Sequence, residues 1–313
     1  MKLIRMKFVP FTAFLACIVL IHFSNLSAAA SEDKTPPSLA PPGQSKNSDG
    51  QDKLGGHLNL YGDVGGRINP QGLGFRGGIN YRNVYRYDEK YQTEGAYWQA
   101  GLRLGTSPSY GQAGVHMEWM PWLFLKLRVS YDQLFYYGMD RSLLSFSSAS
   151  APFGDDDIKD RKDQENATGQ RISFRPTLQA KIDRVVLRNQ TDVVYYKFSG
   201  RGPYFLELSY YTLLKDGDWL ISNQTEALYE VWKGLGGRTL LAGPFYQWTR
   251  ADGSGISQQK TGLMFYWVPV DNLFGLDRPR VGLQVGYHLE DPNYRNQMFV
   301  VLGAGFDFDL KWR

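Results

Sequence analysis

The stretch Gln297 to Arg313, QMFVVLGAGFDFDLKWR, sets Met298, Val300, Leu302, Ala304, Phe306, Phe308, Leu310 and Trp312 against Gly303, Gly305, Asp307, Asp309 and Lys311. Side chains alternate along an extended chain, so this period of two makes a strand of about sixteen residues, far longer than the usual five or six. A soluble sandwich rarely needs that length. A strand tilted across a bilayer needs about ten residues plus rims in water.

The same alternation recurs from His57 onward. Leu58, Leu60, Val64 and Ile68 oppose Asn59, Tyr61, Asp63 and Arg67, and Phe75, Ile79, Tyr81, Tyr85 and Tyr87 oppose Arg76, Asn80, Arg82 and Arg86. Ala96 to Leu104 opposes Gln99, Gly101, Arg103 and Gly105. Val115, Met117 and Trp119 oppose Gln112, Gly114, His116 and Glu118, with a tight turn predicted at Met120-Pro121. Leu123 to Tyr131 opposes Lys126, Arg128, Ser130 and Asp132, and the segments 171–182, 185–197, 204–214, 218–232, 238–250, 258–268 and 280–290 behave alike. There is no apolar run of about eighteen residues and no sustained helical period.

Water-soluble sheets alternate too, so the placement rests on two further features. Aromatics make up 15% of the chain and crowd segment ends, at Tyr85/Tyr87, Trp119/Trp122, Phe135/Tyr136/Tyr137, Tyr210/Tyr211 and Trp267, while mean hydropathy is −0.38. Interfacial aromatic girdles around a wet lumen explain both.

The spacings Gly303-x-x-Phe306-x-Phe308 and Gly305-x-x-Phe308-x-Leu310 resemble the C-terminal assembly signal of Gram-negative outer-membrane β-barrels, although Trp312 is penultimate here where that family usually ends on an aromatic. The resemblance implies an all-β fold, a transmembrane antiparallel β-barrel set in outer-membrane lipid. It also implies a last strand read by the barrel-assembly machinery. At about twenty residues per strand and turn, 57–313 holds twelve or thirteen strands. Single-chain barrels usually have an even number, so twelve are expected, with fourteen as the alternative. One of the thirteen segments is then miscounted, with 139–150 and 171–197 the suspects.

Ahead of the barrel, 1–30 reads as an export signal: Lys2, Arg5 and Lys7, an apolar centre from Phe11 to Phe23, and a small-residue cleavage site at Ala28-Ala29-Ala30. Those three basic residues carry most of the formal net charge of +4, so the mature chain is near neutral and offers no electrostatic footprint for nucleic acid. The single cysteine, Cys17, lies inside the signal, which excludes disulfides and thiolate chemistry from the mature chain. Residues 31–56, with Pro36, Pro37, Pro41 and Pro42, read as a disordered periplasmic tether.

Gly138 to Gly169 is the longest irregular connection and is expected to be a solvated extracellular loop. Its Asp155, Asp156, Asp157, Asp160, Asp163 and Glu165 lack the spacing of a calcium loop. A short echo, Asn189-Gln190-Thr191-Asp192 with Tyr195 and Asn223-Gln224-Thr225-Glu226 with Tyr229, suits two strands running the same way with one between them. In that register Asn and Thr face lipid.

His116-x-Glu118 and His288-x-Glu290 each place imidazole and carboxylate about 7 Å apart on one strand face, enough for a metal site or an acid–base group if the pairs met. A water-filled lumen also collects such pairs for solvation alone. The His-x-Ser arrangement of barrel phospholipases and lipid A deacylases is not met, because Asn59, Glu118 and Glu290 stand at the matching positions. No catalytic residue, cofactor or metal is assigned.

The expected lumen lining is Arg76, Arg82, Arg86, Arg103, His116, Glu118, Lys126, Arg128, Glu207, Glu226, Glu230, His288, Glu290, Asp307 and Asp309. The first functional reading is a small porin for polar solutes, tuned by those charges. The second is a closed barrel that binds a partner, and the third a barrel enzyme acting on lipid or peptide.

Overall fold

The structure is a computed structural model that describes residues 54–88, 93–234, 238–270, 272–273 and 276–310. The predicted export signal, almost all of the tether, and Lys311, Trp312 and Arg313 lie outside the described residues.

Long strands alternating apolar and polar residues pair in chain order: β1 (Gly55–Ile68), β2 (Gly72–Asp88), β3 (Thr93–Thr106), β4 (Tyr110–Trp122) and β5 (Leu125–Tyr137). They are followed by β6 (Ser145–Phe146), α1 (Asp155–Ile158), β7 (Asn166–Ile182), β8 (Val185–Phe198), β9 (Tyr204–Glu207) and β10 (Thr212–Lys215). The chain continues with β11 (Asp218–Lys233), β12 (Thr239–Ala251), β13 (Ser257–Val268), β14 (Asn272–Leu273), β15 (Leu276–Glu290) and β16 (Met298–Leu310). β6, β9 and β10 form a separate three-stranded sheet, and β14 is a short pairing on β15. The remaining twelve strands close into an antiparallel barrel, with β16 pairing β1 from Leu58↔Leu310 to Ile68↔Val300. Closure leaves the barrel wall no unpaired edge strand among the described residues.

The outer surface is apolar at mid-strand positions. Leu104 is 66% exposed, and Leu102, Val115, Met117, Val129 and Leu263 are exposed as well. No water-soluble monomer carries apolar surface on that scale, whereas a strand facing hydrocarbon requires it. Aromatic pairs mark the rims: Trp122 stacks on Phe124 with centroids 5.7 Å apart, Trp119 donates to the Tyr85 hydroxyl at 3.0 Å, and Tyr195 packs on Trp219 at 5.1 Å. Both described chain ends and the two-residue turns 123–124 and 183–184 lie at one end, and the long connections 138–165 and 199–217 lie at the other, beside the short turns 69–71 and 107–109. By the usual arrangement the long-connection end is extracellular.

The thirteen predicted segments resolve into twelve wall strands because 204–214 is not one of them. Its apolar residues fall on both faces, with Phe205, Leu206, Leu208, Leu213 and Leu214 all buried, so it has no polar side to turn to a lumen and folds as the β9–β10 hairpin. The predicted turn at Met120-Pro121 also moves: β4 runs on through Trp122 past an irregularity, and the chain reverses at 123–124.

The hairpin's departure also corrects the echo. β8 and β11 are not separated by a strand but are direct antiparallel neighbours, with Gln190↔Gln224 and Asn189↔Thr225 opposed. Asn189 and Asn223 donate to each other's Oδ1 at 3.1 Å, and they donate at 2.8 Å to Thr225 and Thr191 respectively. The four outward polar side chains satisfy one another in the lipid-facing wall. Asn223→Leu alone leaves Asn189 Oδ1 without its donor and its amide with Thr225 alone, and is expected to cost about 1–3 kcal/mol in urea unfolding, while Asn189→Leu, Asn223→Leu together recovers most of it. Equal costs for the single and double variants would contradict the coupling.

Candidate functional site

The lumen is closed at the extracellular end by chain that folds inward. Upper inward positions of the wall are apolar, among them Leu134, Tyr136, Val194, Tyr196 and Leu220, and against them pack Leu143, Leu144, Phe153, Ile158, Leu206 and Leu213 from the two long connections. The result is a plug with its own hydrophobic core. The expectation of a solvated 138–169 loop is corrected accordingly, although Asp156, 99% exposed, does lie in water.

Two polar groups latch the plug. Arg67 of β1 donates to the carbonyls of Leu208 at 2.7 Å and Ser209 at 3.2 Å, with its guanidinium 5.4 Å from the Tyr211 ring. Asp155 accepts from Arg141, from the Tyr211 hydroxyl at 2.9 Å and from the Gln71 amide at 3.1 Å, and its own amide donates to the Tyr294 hydroxyl. Burial pushes the phenols of Tyr211 and Tyr294 well up, so both stay protonated.

The loop after β15 is pinned beside this latch. Burial works against charge on Asp291, but His288 and the amides of Asn293 and Tyr294, at 2.8 and 2.9 Å, hold its carboxyl below the usual range. A carboxylate depressed in the fold stabilises it at and above its ordinary range, and that contribution fades as the pH falls through the folded value. Asp291→Ala leaves two amides without their acceptor and is expected to cost about 1–3 kcal/mol at neutral pH, with a smaller difference from the parent in strong acid. Melting profiles against pH check this, and a gap that widens on acidification would contradict it.

Below the plug the wall is cationic. Arg76, Arg82, Arg103, Arg128, Arg171, Arg175, Arg188 and Arg280, with Lys126, Lys181 and Lys260, face inward. Opposite them stand Asp63, Glu118, Asp132, Asp192, Glu226, Glu230 and Asp307. Asp132, wholly buried, is clamped by Arg103 and Arg171. Arg175 pairs with Asp192, Arg188 with Glu226, Lys181 with Glu230, and Arg280 bridges Asp63 at 2.8 Å and Asp307 at 3.0 Å. Glu118 accepts from the Tyr97 hydroxyl at 2.6 Å, with Lys126 3.5 Å and Arg128 3.7 Å away.

Of the expected lining, Arg76, Arg82, Arg103, His116, Glu118, Lys126, Arg128, Glu226, Glu230, His288 and Asp307 point inward. Three do not. Arg86 follows an irregularity in the β2–β3 register and lies exposed at the rim, donating to the carbonyls of Gly95 and Pro121. Glu207 belongs to the plug, where it accepts from the Tyr210 amide at 2.7 Å. A bulge opposite Gln259 and Lys260 turns Glu290 outward onto Gln259 while His288 stays inside. That bulge splits the second His–Glu pair. The Asp309 side chain lies outside the described residues.

His116 sits in mid-wall with neither ring nitrogen hydrogen-bonded among the described residues, while His288 contacts Asn69 and Asp291 near the plug. No three metal-ligating side chains converge among the described residues. The sequence reading omitted Arg171, Arg175, Arg188 and Arg280 from the lining, though their alternate positions on polar strand faces carried the signal.

Three spaces meet at Arg76. A cavity of about 130 Å³ lies beneath the plug and is walled by Val186, Leu228, Leu241, Met264 and Tyr266 as well as Arg76, Arg188 and Arg280. A second space is framed by Arg76, Arg103, Arg128, Arg171 and Arg175 with Ser130 and Ser173. A third is a crevice between plug and wall, lined by Ser107, Tyr110, Gln112 and Ser209.

No protein-family model matches the sequence, and no curated protein matches it. Among solved structures the chain is similar to an outer-membrane channel from Pseudomonas putida F1, at 10% identity and TM-score 0.40, over 84% of this chain and 100% of that one. It is similar to the NanC porin at 8% identity and TM-score 0.38, over 81% and 100% of the two chains. The β domain of the Bordetella autotransporter BrkA matches at 11% identity and TM-score 0.37, over 81% and 98%.

Proposed function

The chain has the closed, even-stranded, lipid-faced architecture of an outer-membrane β-barrel, and we propose that it is a channel held shut by its own plug. The observation that carries this reading is the position of Arg76, which borders the crevice beside the plug, the arginine-framed space and the lower cavity. Small shifts of the plug would join these spaces into one path. Cationic side chains outnumber carboxylates along it, so the solutes it favours are anions. In this reading β16 is also the strand that the assembly machinery engages.

The test is reversal potential in a planar bilayer under a salt gradient, measured on a variant with the plug removed. Anion selectivity is expected, and Arg76→Ser, Arg128→Ser is expected to reduce it severalfold. Cation selectivity, or selectivity unmoved by the double variant, would overturn the reading.

A further inference from the structure

The lower cavity is two-sided in a way that passage of small ions does not require. One wall is apolar: Val186, Leu228, Leu241 and Met264 are each no more than 8% exposed, on the inner face of strands whose outer face meets lipid. A lumen built only for hydrated solutes gains nothing from such a wall. Facing it, Arg76 is buried, its Nε has no hydrogen-bond partner among the described residues, and its nearest carboxylate, Asp63, stands 3.9 Å away and is already held by Arg280 at 2.8 Å. Arg188 and Arg280 in the same cavity have carboxylate partners in Glu226, Asp63 and Asp307. This guanidinium, held among the described residues only by a long ion pair shared with Arg280, thus lines the same cavity as the apolar trough.

Resting on the channel reading for its route of entry, we infer that the cavity binds an amphipathic organic monoanion, with its carboxylate on Arg76 and its hydrocarbon body along Val186, Leu228, Leu241 and Met264. A buried guanidinium whose one carboxylate is distant and shared favours an added anion, and its planar fork suits a carboxylate in particular. Burial of the hydrocarbon body supplies affinity, and the single charge fixes orientation.

The experiment is equilibrium dialysis of the full chain in lipid nanodiscs against radiolabelled octanoate, with empty nanodiscs as the blank. The expected result is one octanoate per barrel above the blank, displaced by unlabelled octanoate but not by equal concentrations of acetate, which lacks the tail, or octanol, which lacks the charge. Arg76→Gln is expected to weaken binding at least tenfold. Leu228→Gln, at the other end of the trough, is expected to do the same and provides the test should the arginine variant not fold. Octanoate at the level of the blank would overturn the inference. So would displacement by acetate as effective as by octanoate, which marks a small-anion site, or by octanol, which marks a merely greasy one. Conductance of the plug-removed variant separates the two readings: octanoate binding in a barrel that never conducts keeps the site and removes the channel, and conductance without octanoate binding does the reverse.

Discussion

Replacing residues 202–215 with a short glycine-serine link is expected to turn a barrel that rests closed into one with steady conductance. The replacement takes β9 and β10 out of the mouth, and with them Phe205, Leu206, Leu208, Leu213 and Leu214 from the plug's core. Arg67 loses its two carbonyl acceptors, β6 loses the strand it pairs with, and Asp155 loses the Tyr211 hydroxyl. The barrel wall does not depend on this segment, because β8 and β11 pair with each other from Tyr196↔Asp218 to Val185↔Tyr229. The variant should therefore fold, as heat-modifiable electrophoretic mobility would report. A folded variant that stays silent would mean that the lumen is shut by its side chains alone, and the plug would lose its role.

The second large effect is expected at Asp132. This carboxylate has no exposed surface and receives Arg103 and Arg171 together, with Arg103 also reaching Ser130 at 3.0 Å and Arg171 reaching Gln112 at 3.1 Å. Asp132→Ala leaves two buried guanidiniums facing each other across an empty site, and removing one partner of a buried ion pair costs about 3–5 kcal/mol. The loss measures the stranded charges rather than the worth of the cluster. Changing all three residues, Asp132→Leu with Arg103→Met and Arg171→Met, is expected to recover most of it, since apolar groups of similar volume often match or exceed a buried ion pair. Urea unfolding of the two variants decides the matter. A triple variant no more stable than the single would show that the cluster contributes net stability of its own.

Architecture was legible in the sequence because a barrel strand writes its two environments at alternate positions. The register of β16 against β1, with Gly303 and Gly305 inward and Met298 and Leu302 outward, is the one its alternation predicts. The site was legible wherever that alternation runs unbroken, as through His116 and Glu118 in β4 or Lys126 and Arg128 in β5. It failed where a single inserted residue changed the face. Glu290 follows a bulge and Arg86 a register shift, and neither bulge has a residue signature of its own.

The plug was missed for a different reason. Its strands alternate too, and only the filling of both faces by Phe205, Leu206, Leu213 and Leu214 distinguishes them from wall. The matching signal in the wall is the run Val193-Val194-Tyr195-Tyr196-Lys197-Phe198, apolar outward at Val193 and Tyr195 and apolar again on the inner side, where Val194, Tyr196 and Phe198 meet the plug. An inner face that turns apolar near the extracellular rim marks where a lumen is filled by protein.

Single-channel recording of the intact chain beside the Arg67→Ala, Asp155→Ala variant tests most directly whether the plug is a gate. Arg67→Ala removes the two buried hydrogen bonds from β1 to the plug, and Asp155→Ala removes the bond from the Gln71 turn and the plug's own bonds from Arg141 and Tyr211; a loss of about 1–3 kcal/mol shifts a closed–open equilibrium by about tenfold to a hundredfold. The expected result is an intact barrel that is closed for most of the record, and a variant with the same unitary conductance that is open at least about ten times as often. An intact barrel open throughout, or a folded variant as silent as its parent, would contradict the gate.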